Sequence, residues 1–104
     1  MLFRSLSPEG VVRFLNNLLT PLTAAILANE GAVDKYMGDG VMAYWNAPMD
    51  APDHATLACR AALAMSACIP AVDAEAAALA NTEGRPHAPV AIGIGINRSE
   101  EHTV

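Results

Sequence analysis

The sequence predicts an α+β fold. Three observations carry that expectation. Apolar residues recur at helical spacing from Val11 to Ile26, two short apolar runs flank Gly38-Asp39-Gly40, and an alanine-rich stretch runs from Ala55 to about Cys68.

The first helix opens at Ser7-Pro8-Glu9. Serine serves as N-cap, proline suits the first helical position, and an acid in the first turn meets the positive end of the helix dipole. Val11, Phe14, Leu15, Leu18, Leu22 and Ile26 form its apolar stripe. Pro21 interrupts the stripe and predicts a kink or a split. Asn29-Glu30-Gly31 closes the helix, with Gly31 expected as the C-cap.

The runs Ala32–Met37 and Val41–Trp45 read as two strands, and Asp39-Gly40 between them is a hairpin signal. A second helix opens at Asp50-Ala51-Pro52-Asp53, with Asp50 as cap and Asp53 in the reciprocal position of a capping box. Pro70 is expected to break or kink it, with helix resuming over residues 71–80. Residues 82–89 read as a loop containing Gly84 and two prolines. Val90–Asn97 alternates isoleucine with glycine and reads as a third strand, where glycine admits a close backbone or ligand. The order helix, strand, strand, helix, strand matches a ferredoxin-like unit without its first strand.

The 104 residues suffice for one domain. Apolar residues make up 53% and aromatics 5%, so helices packed through thin side chains are expected. The net charge is -5, and no Lys/Arg cluster could follow a phosphate backbone, which argues against nucleic acid as a partner. An acidic chain that binds a polyanionic nucleotide does so through divalent metal. Cys59 and Cys68, nine positions apart, fall on opposite sides of a helix and fit neither a disulfide nor a metal pair. Two reduced, mostly buried thiols are expected. No apolar run approaches a membrane span, and no signal peptide is visible at Met1.

The stretch that carries chemistry is Val33-Asp34-Lys35-Tyr36-Met37-Gly38-Asp39-Gly40-Val41-Met42-Ala43-Tyr44-Trp45. Asp39 is a carboxylate on an exposed hairpin tip between two glycines. It serves either as plain turn chemistry or as an oxygen ligand that a bulky charged ligand can approach. Lys35 reads either as a surface lysine paired with Asp34 or Glu30, or as a ligand-contacting cation. His54, in a helix's first turn, is expected to make a structural hydrogen bond, and Tyr44 and Trp45 to fill core or interface.

This segment resembles the central hairpin of class III adenylate and guanylate cyclases, whose pattern is close to Asp-Lys-aromatic-aliphatic-Gly-Asp-x-aliphatic-Met-Ala. The likeness extends in order to Leu6-Ser7-Pro8-Glu9 and Leu15-Asn16 before it. After it come Asn46-Ala47-Pro48, Pro52-Asp53-His54-Ala55, Cys59-Arg60-Ala61-Ala62 and the Val90–Asn97 strand. It covers roughly residues 5–97 and implies a partial ferredoxin-like nucleotidyl cyclase domain. The implied reaction is ATP to cyclic AMP and pyrophosphate, with two Mg or Mn ions held by two aspartates. Asp39 matches the second aspartate, which makes it the implied catalytic and metal residue. Lys35 and Gly38 match substrate-binding positions. Lysine at position 35 fits the acceptor nitrogens of adenine, where guanylate cyclases commonly carry glutamate. The resemblance also implies a homodimer, in which Lys35 and Asp39 of one chain serve different sites.

The sequence departs from the family's pattern at both ends. Met1-Leu2-Phe3-Arg4 stands where the strand with the first metal aspartate belongs, and the transition-state Asn and Arg would lie beyond Asn97. Residues 1–97 are therefore expected to be a partial cyclase domain, lacking its first strand and C-terminal part and inactive by itself. Residues 98–104, Arg98-Ser99-Glu100-Glu101-His102-Thr103-Val104, resemble the translation of a sequencing-library adapter and are expected to be a non-native tail. The resemblance implies a cytoplasmic domain, in a parent that carries a membrane-bound sensor upstream in many relatives. The alternative expectation is a non-catalytic cyclase-like module that dimerises or binds nucleotide. A diguanylate cyclase would need Gly-Gly-Asp/Glu-Glu-Phe, which Met37-Gly38-Asp39-Gly40-Val41 does not match.

Overall fold

In the computed structural model, which describes residues 7–47 and 50–98, the chain runs as helix α1 (Pro8–Ala28), strand β1 (Ala32–Met37), strand β2 (Gly40–Tyr44) and helix α2 (His54–Thr82). The α+β class is borne out. Two helices and one two-stranded antiparallel sheet are compatible with a partial domain and do not by themselves establish the ferredoxin-like arrangement. The segment Met1–Arg4, Leu6, Pro48 and the tail residues 99–104 lie outside the described residues.

α1 starts as its sequence dictates. The Ser7 hydroxyl accepts from the Gly10 amide at 3.1 Å, satisfying one of the donors that a helix start leaves unpaired, and Pro8 occupies the first turn. Pro21 does not end the helix. The carbonyl it frees belongs to Asn17, which is exposed and open to water. At the other end the left-handed residue is Glu30, at φ 65, not the expected Gly31. The Glu30 amide donates to Leu27 and the Gly31 amide to Ile26, the bond pair of a Schellman cap. Gly31 is needed for a different reason. A Cβ there would lie 2.6 Å from the Trp45 ring and 2.8 Å from Ile26.

α2 is one helix of 29 residues, which corrects the expected break at Pro70. Proline removes one backbone donor and frees the carbonyl four residues back. Here Pro70 and Ser66 are both exposed residues, a setting in which water can reach what the helix loses. The N-cap is Asp53, without a side-chain capping bond, so the expected capping role of Asp50 is not seen. Gly84, at φ 67, closes the helix: its amide donates to Asn81 and that of Arg85 to Ala80. Both cysteines are free, but Cys59 is exposed and only Cys68 is half-buried, which corrects the expected burial.

The core lies between the helices. Leu18, Leu22 and Ile26 of α1 meet Ala61, Met65 and Val72 of α2, and Val90 joins them from beyond α2. Ala61 is fully buried, and its small side chain lets the helices approach closely. Val33, Val41, Ala43 and Trp45 bring one face of the hairpin onto this core.

Val90–Asn97 is not a strand among the described residues, which corrects the third-strand expectation. A strand needs a ladder partner, and here β1 pairs with β2 alone. Val90 is buried and Ile92 packs beside it, but Ile94 and Ile96 are exposed.

α1 and α2 are both long and apolar enough to cross a membrane by length and composition, with 18-residue stretches of mean hydropathy 1.4 and 1.6. The sequence reading missed this because polar residues such as Asn16, Asn17 and Arg60 interrupt each apolar run. Mostly buried core helices meet the same criterion; here 17% and 22% of the apolar windows are buried, and those buried side chains pack against each other.

Candidate functional site

The candidate site is the β1–β2 hairpin. Its register pairs Ala32 with Tyr44, Val33 with Ala43, Lys35 with Met42, Tyr36 with Val41 and Met37 with Gly40. The register shifts between Val33 and Lys35, so Asp34 is an extra residue, a β-bulge. The bulge decides which way Lys35 points. Val33 and Tyr36 both share the core-side face with their partners Ala43 and Val41. Lys35 and Met37 share the outer face with Met42 and Tyr44. Without the extra residue, strict alternation would put Lys35 on the same face as Val33.

The tip is Gly38-Asp39, one residue earlier than the Asp39-Gly40 turn that the sequence suggests, since Met37 and Gly40 are already paired. Gly38 takes φ 59 and Asp39 is not left-handed, the sign pattern of a type II′ turn with glycine first. A Cβ at Gly38 would meet nothing within 4 Å, so backbone angle rather than crowding calls for glycine there.

Asp39 and Lys35 are both exposed. Neither enters an ion pair with a described residue, so the expected pairing of Lys35 with Asp34 or Glu30 is not seen. They share one hairpin, Asp39 at its tip and Lys35 mid-strand on the outer face. Around Lys35 that face carries Met37, Met42 and Tyr44, which are 48%, 43% and 41% exposed.

The hairpin is anchored from the core side. Trp45, just after β2, donates its indole N–H to the Asn29 carbonyl at 2.8 Å, and the Tyr36 hydroxyl lies 3.0 Å from the Thr23 hydroxyl. Trp45 thus does more than fill space. The His54 ring lies 2.8 Å from the Ala51 carbonyl, to which its Nδ1–H donates, the structural bond expected of it.

Asp39 suits one ligand position for a hard divalent ion: an exposed carboxylate, flanked by glycines and engaged with no described partner. Such ions take about six oxygen ligands. No group of three or more His, Cys, Asp or Glu side chains gathers among the described residues, so Asp39 offers a single contact. The sequence reading singled out neither the Asp34 bulge nor Asp73, whose carboxylate joins α2 to the segment after it. Neither leaves a sequence signal, because bulge position and contacts spanning more than a dozen residues depend on tertiary packing.

No protein-family model matches the chain. Over 59 residues it is 41% identical to adenylate cyclase 1 of Rhizobium meliloti (strain 1021). The match takes in 57% of this chain and 9% of that relative. The chain is therefore related, over that stretch, to a protein named as an adenylate cyclase.

Proposed function

We propose that the chain is part of a class III adenylate cyclase catalytic domain, which converts ATP to cyclic AMP and pyrophosphate within a homodimer. The observation that carries this reading is an exposed Gly-Asp-Gly tip on a hairpin with Lys35 on its outer face, in a chain similar to an adenylate cyclase.

Asp39 is the metal-holding and catalytic residue of this reading, for Mg or Mn. Such ions, when bound, favour the attacking oxygen and neutralise charge on the triphosphate. The role of Asp39 is to keep one carboxylate exposed on a short, defined turn. Gly38 and Gly40 keep the approach to it open. Lys35 reads the purine: its ammonium donates to adenine acceptors, which a carboxylate could not do. The outer face around Lys35 has the exposed apolar character of an association surface, which supports the homodimer. In that dimer Lys35 serves one site and Asp39 the other. The 104-residue chain by itself is proposed to be inactive.

The experiment is a nucleotide cyclisation assay with Mn on the chain expressed with its native flanking coding sequence. Cyclic AMP from ATP is expected, with Lys35→Glu lowering ATP turnover by about tenfold or more relative to GTP. Nucleotide binding without turnover would replace this reading with the non-catalytic module. A result with neither binding nor turnover would overturn the cyclase reading and leave only a module that dimerises.

A further inference from the structure

Beyond α2 the chain doubles back over residues 85–90, and one carboxylate holds it there. Asp73 Oδ1 accepts from the Val90 backbone amide at 2.8 Å and faces His87 Nε2 at 2.9 Å. Asp73 lies in the second half of α2, and its partners lie 14 and 17 residues further along. Val90, 8% exposed, enters the core at this point. The segment closes over a cavity of about 90 Å³ lined in part by Phe14, Val72, Ala76 and Ala80.

We propose that Asp73 is a latch that fastens residues 85–90 to α2 and so fixes where the Val90–Asn97 segment leaves the core. The segment has no strand partner among the described residues to hold it. Its apolar anchorage is Val90 and Ile92, and Ile94 and Ile96 are exposed. Arg85 bonds back to Ala80 and Glu83 at the end of α2, and beyond it a single acceptor, Asp73 Oδ1, takes both the Val90 amide and the His87 ring. Pro86 and Pro89, which bracket His87, restrict the free segment and lower the entropy cost of closing the latch. Asp73 is a positioning residue, and this role is independent of the cyclase reading.

Amide hydrogen exchange tests the latch at residue resolution on the 104-residue chain. Asp73→Ala is expected to speed exchange at Val90 by about tenfold or more, with the α1 amides around Leu22 unchanged. His87→Ala is expected to leave most Val90 protection in place, since the amide bond is separate. Unchanged exchange at Val90 in a folded Asp73→Ala chain overturns the proposal. If Asp73→Ala loses its helical circular dichroism, Asp73→Leu decides. It keeps a similar shape and favours the helix but offers no acceptor oxygen. Faster exchange confined to Val90 and its neighbours supports the latch, and wild-type exchange overturns it.

Discussion

The indole N–H of Trp45 donates to the backbone carbonyl of Asn29 across 2.8 Å, tying the end of β2 to the C-cap of α1. Sixteen residues apart in the chain, the two fix the base of the hairpin against the helix that precedes it. The Asp39 tip projects from that base.

Trp45→Phe keeps a ring and removes the donor. The carbonyl of Asn29, at a helix end where few partners exist, then lacks this bond. The expected loss is about 1 kcal/mol, read as a lower urea midpoint. An unchanged midpoint would mean that water replaces the indole without cost.

Two neighbouring substitutions should have opposite signs. Gly31→Ala places a Cβ 2.6 Å from the Trp45 ring and 2.8 Å from Ile26, and should cost about 1–3 kcal/mol. Glu30→Gly relieves a non-glycine residue at φ 65 and should gain about 1 kcal/mol. Thermal melts of both variants check this. Two losses of similar size would contradict the division of labour between the left-handed and the crowded position.

The latch should open in acid. The Val90 amide, then the His87 side chain, hold the Asp73 carboxyl below the usual carboxylate range. A carboxyl with a lowered folded pKa stabilises the fold while ionised. That contribution is complete above its unfolded pKa and is lost as pH falls through the folded value. His87 is the titratable side chain that faces it, at 2.9 Å. Exchange protection at Val90, relative to α1, should therefore hold from neutral pH down to the ordinary carboxylate range and fall only below it. The fall should be absent in Asp73→Asn. An identical acid profile in that variant would contradict the account.

The local signals in the sequence were read correctly where local chemistry decides the outcome. Ser7-Pro8 starts a helix because cap and first turn are set by adjacent residues, and Gly-Asp-Gly makes a tight hairpin for the same reason. The turn still fell one residue early, because the first central position needs positive φ and Gly38 supplies it at least cost. Pro70 does not break α2, an outcome hidden in the sequence because it does not reveal which side of the helix faces water. The Ile-Gly run misled because a strand is a property of a pair, and periodicity reports only one partner. At the candidate site, Asp39, Gly38 and Lys35 were legible as a motif. The outward orientation of Lys35 was not, since it depends on the bulge at Asp34.

Lys35 and Asp39 sit on one hairpin but belong, in this account, to different sites of a dimer. Mixing two impaired variants should therefore restore ATP turnover. Lys35→Glu and Asp39→Asn chains, each with native flanking sequence, should recover up to about a quarter of wild-type activity when combined, because random pairing leaves some dimers one intact site. Recovery no greater than the sum of the separate variants would contradict a shared site.

The central claim is that Asp39 holds divalent metal for cyclisation of ATP. The most direct measurement is cyclic AMP formation against Mn concentration, for wild type and Asp39→Asn, expressed with native flanking sequence and matched for folding by circular dichroism. The account predicts Mn-dependent turnover in wild type and a loss of about a hundredfold or more in Asp39→Asn. Equal turnover and equal Mn dependence in the two proteins would contradict it.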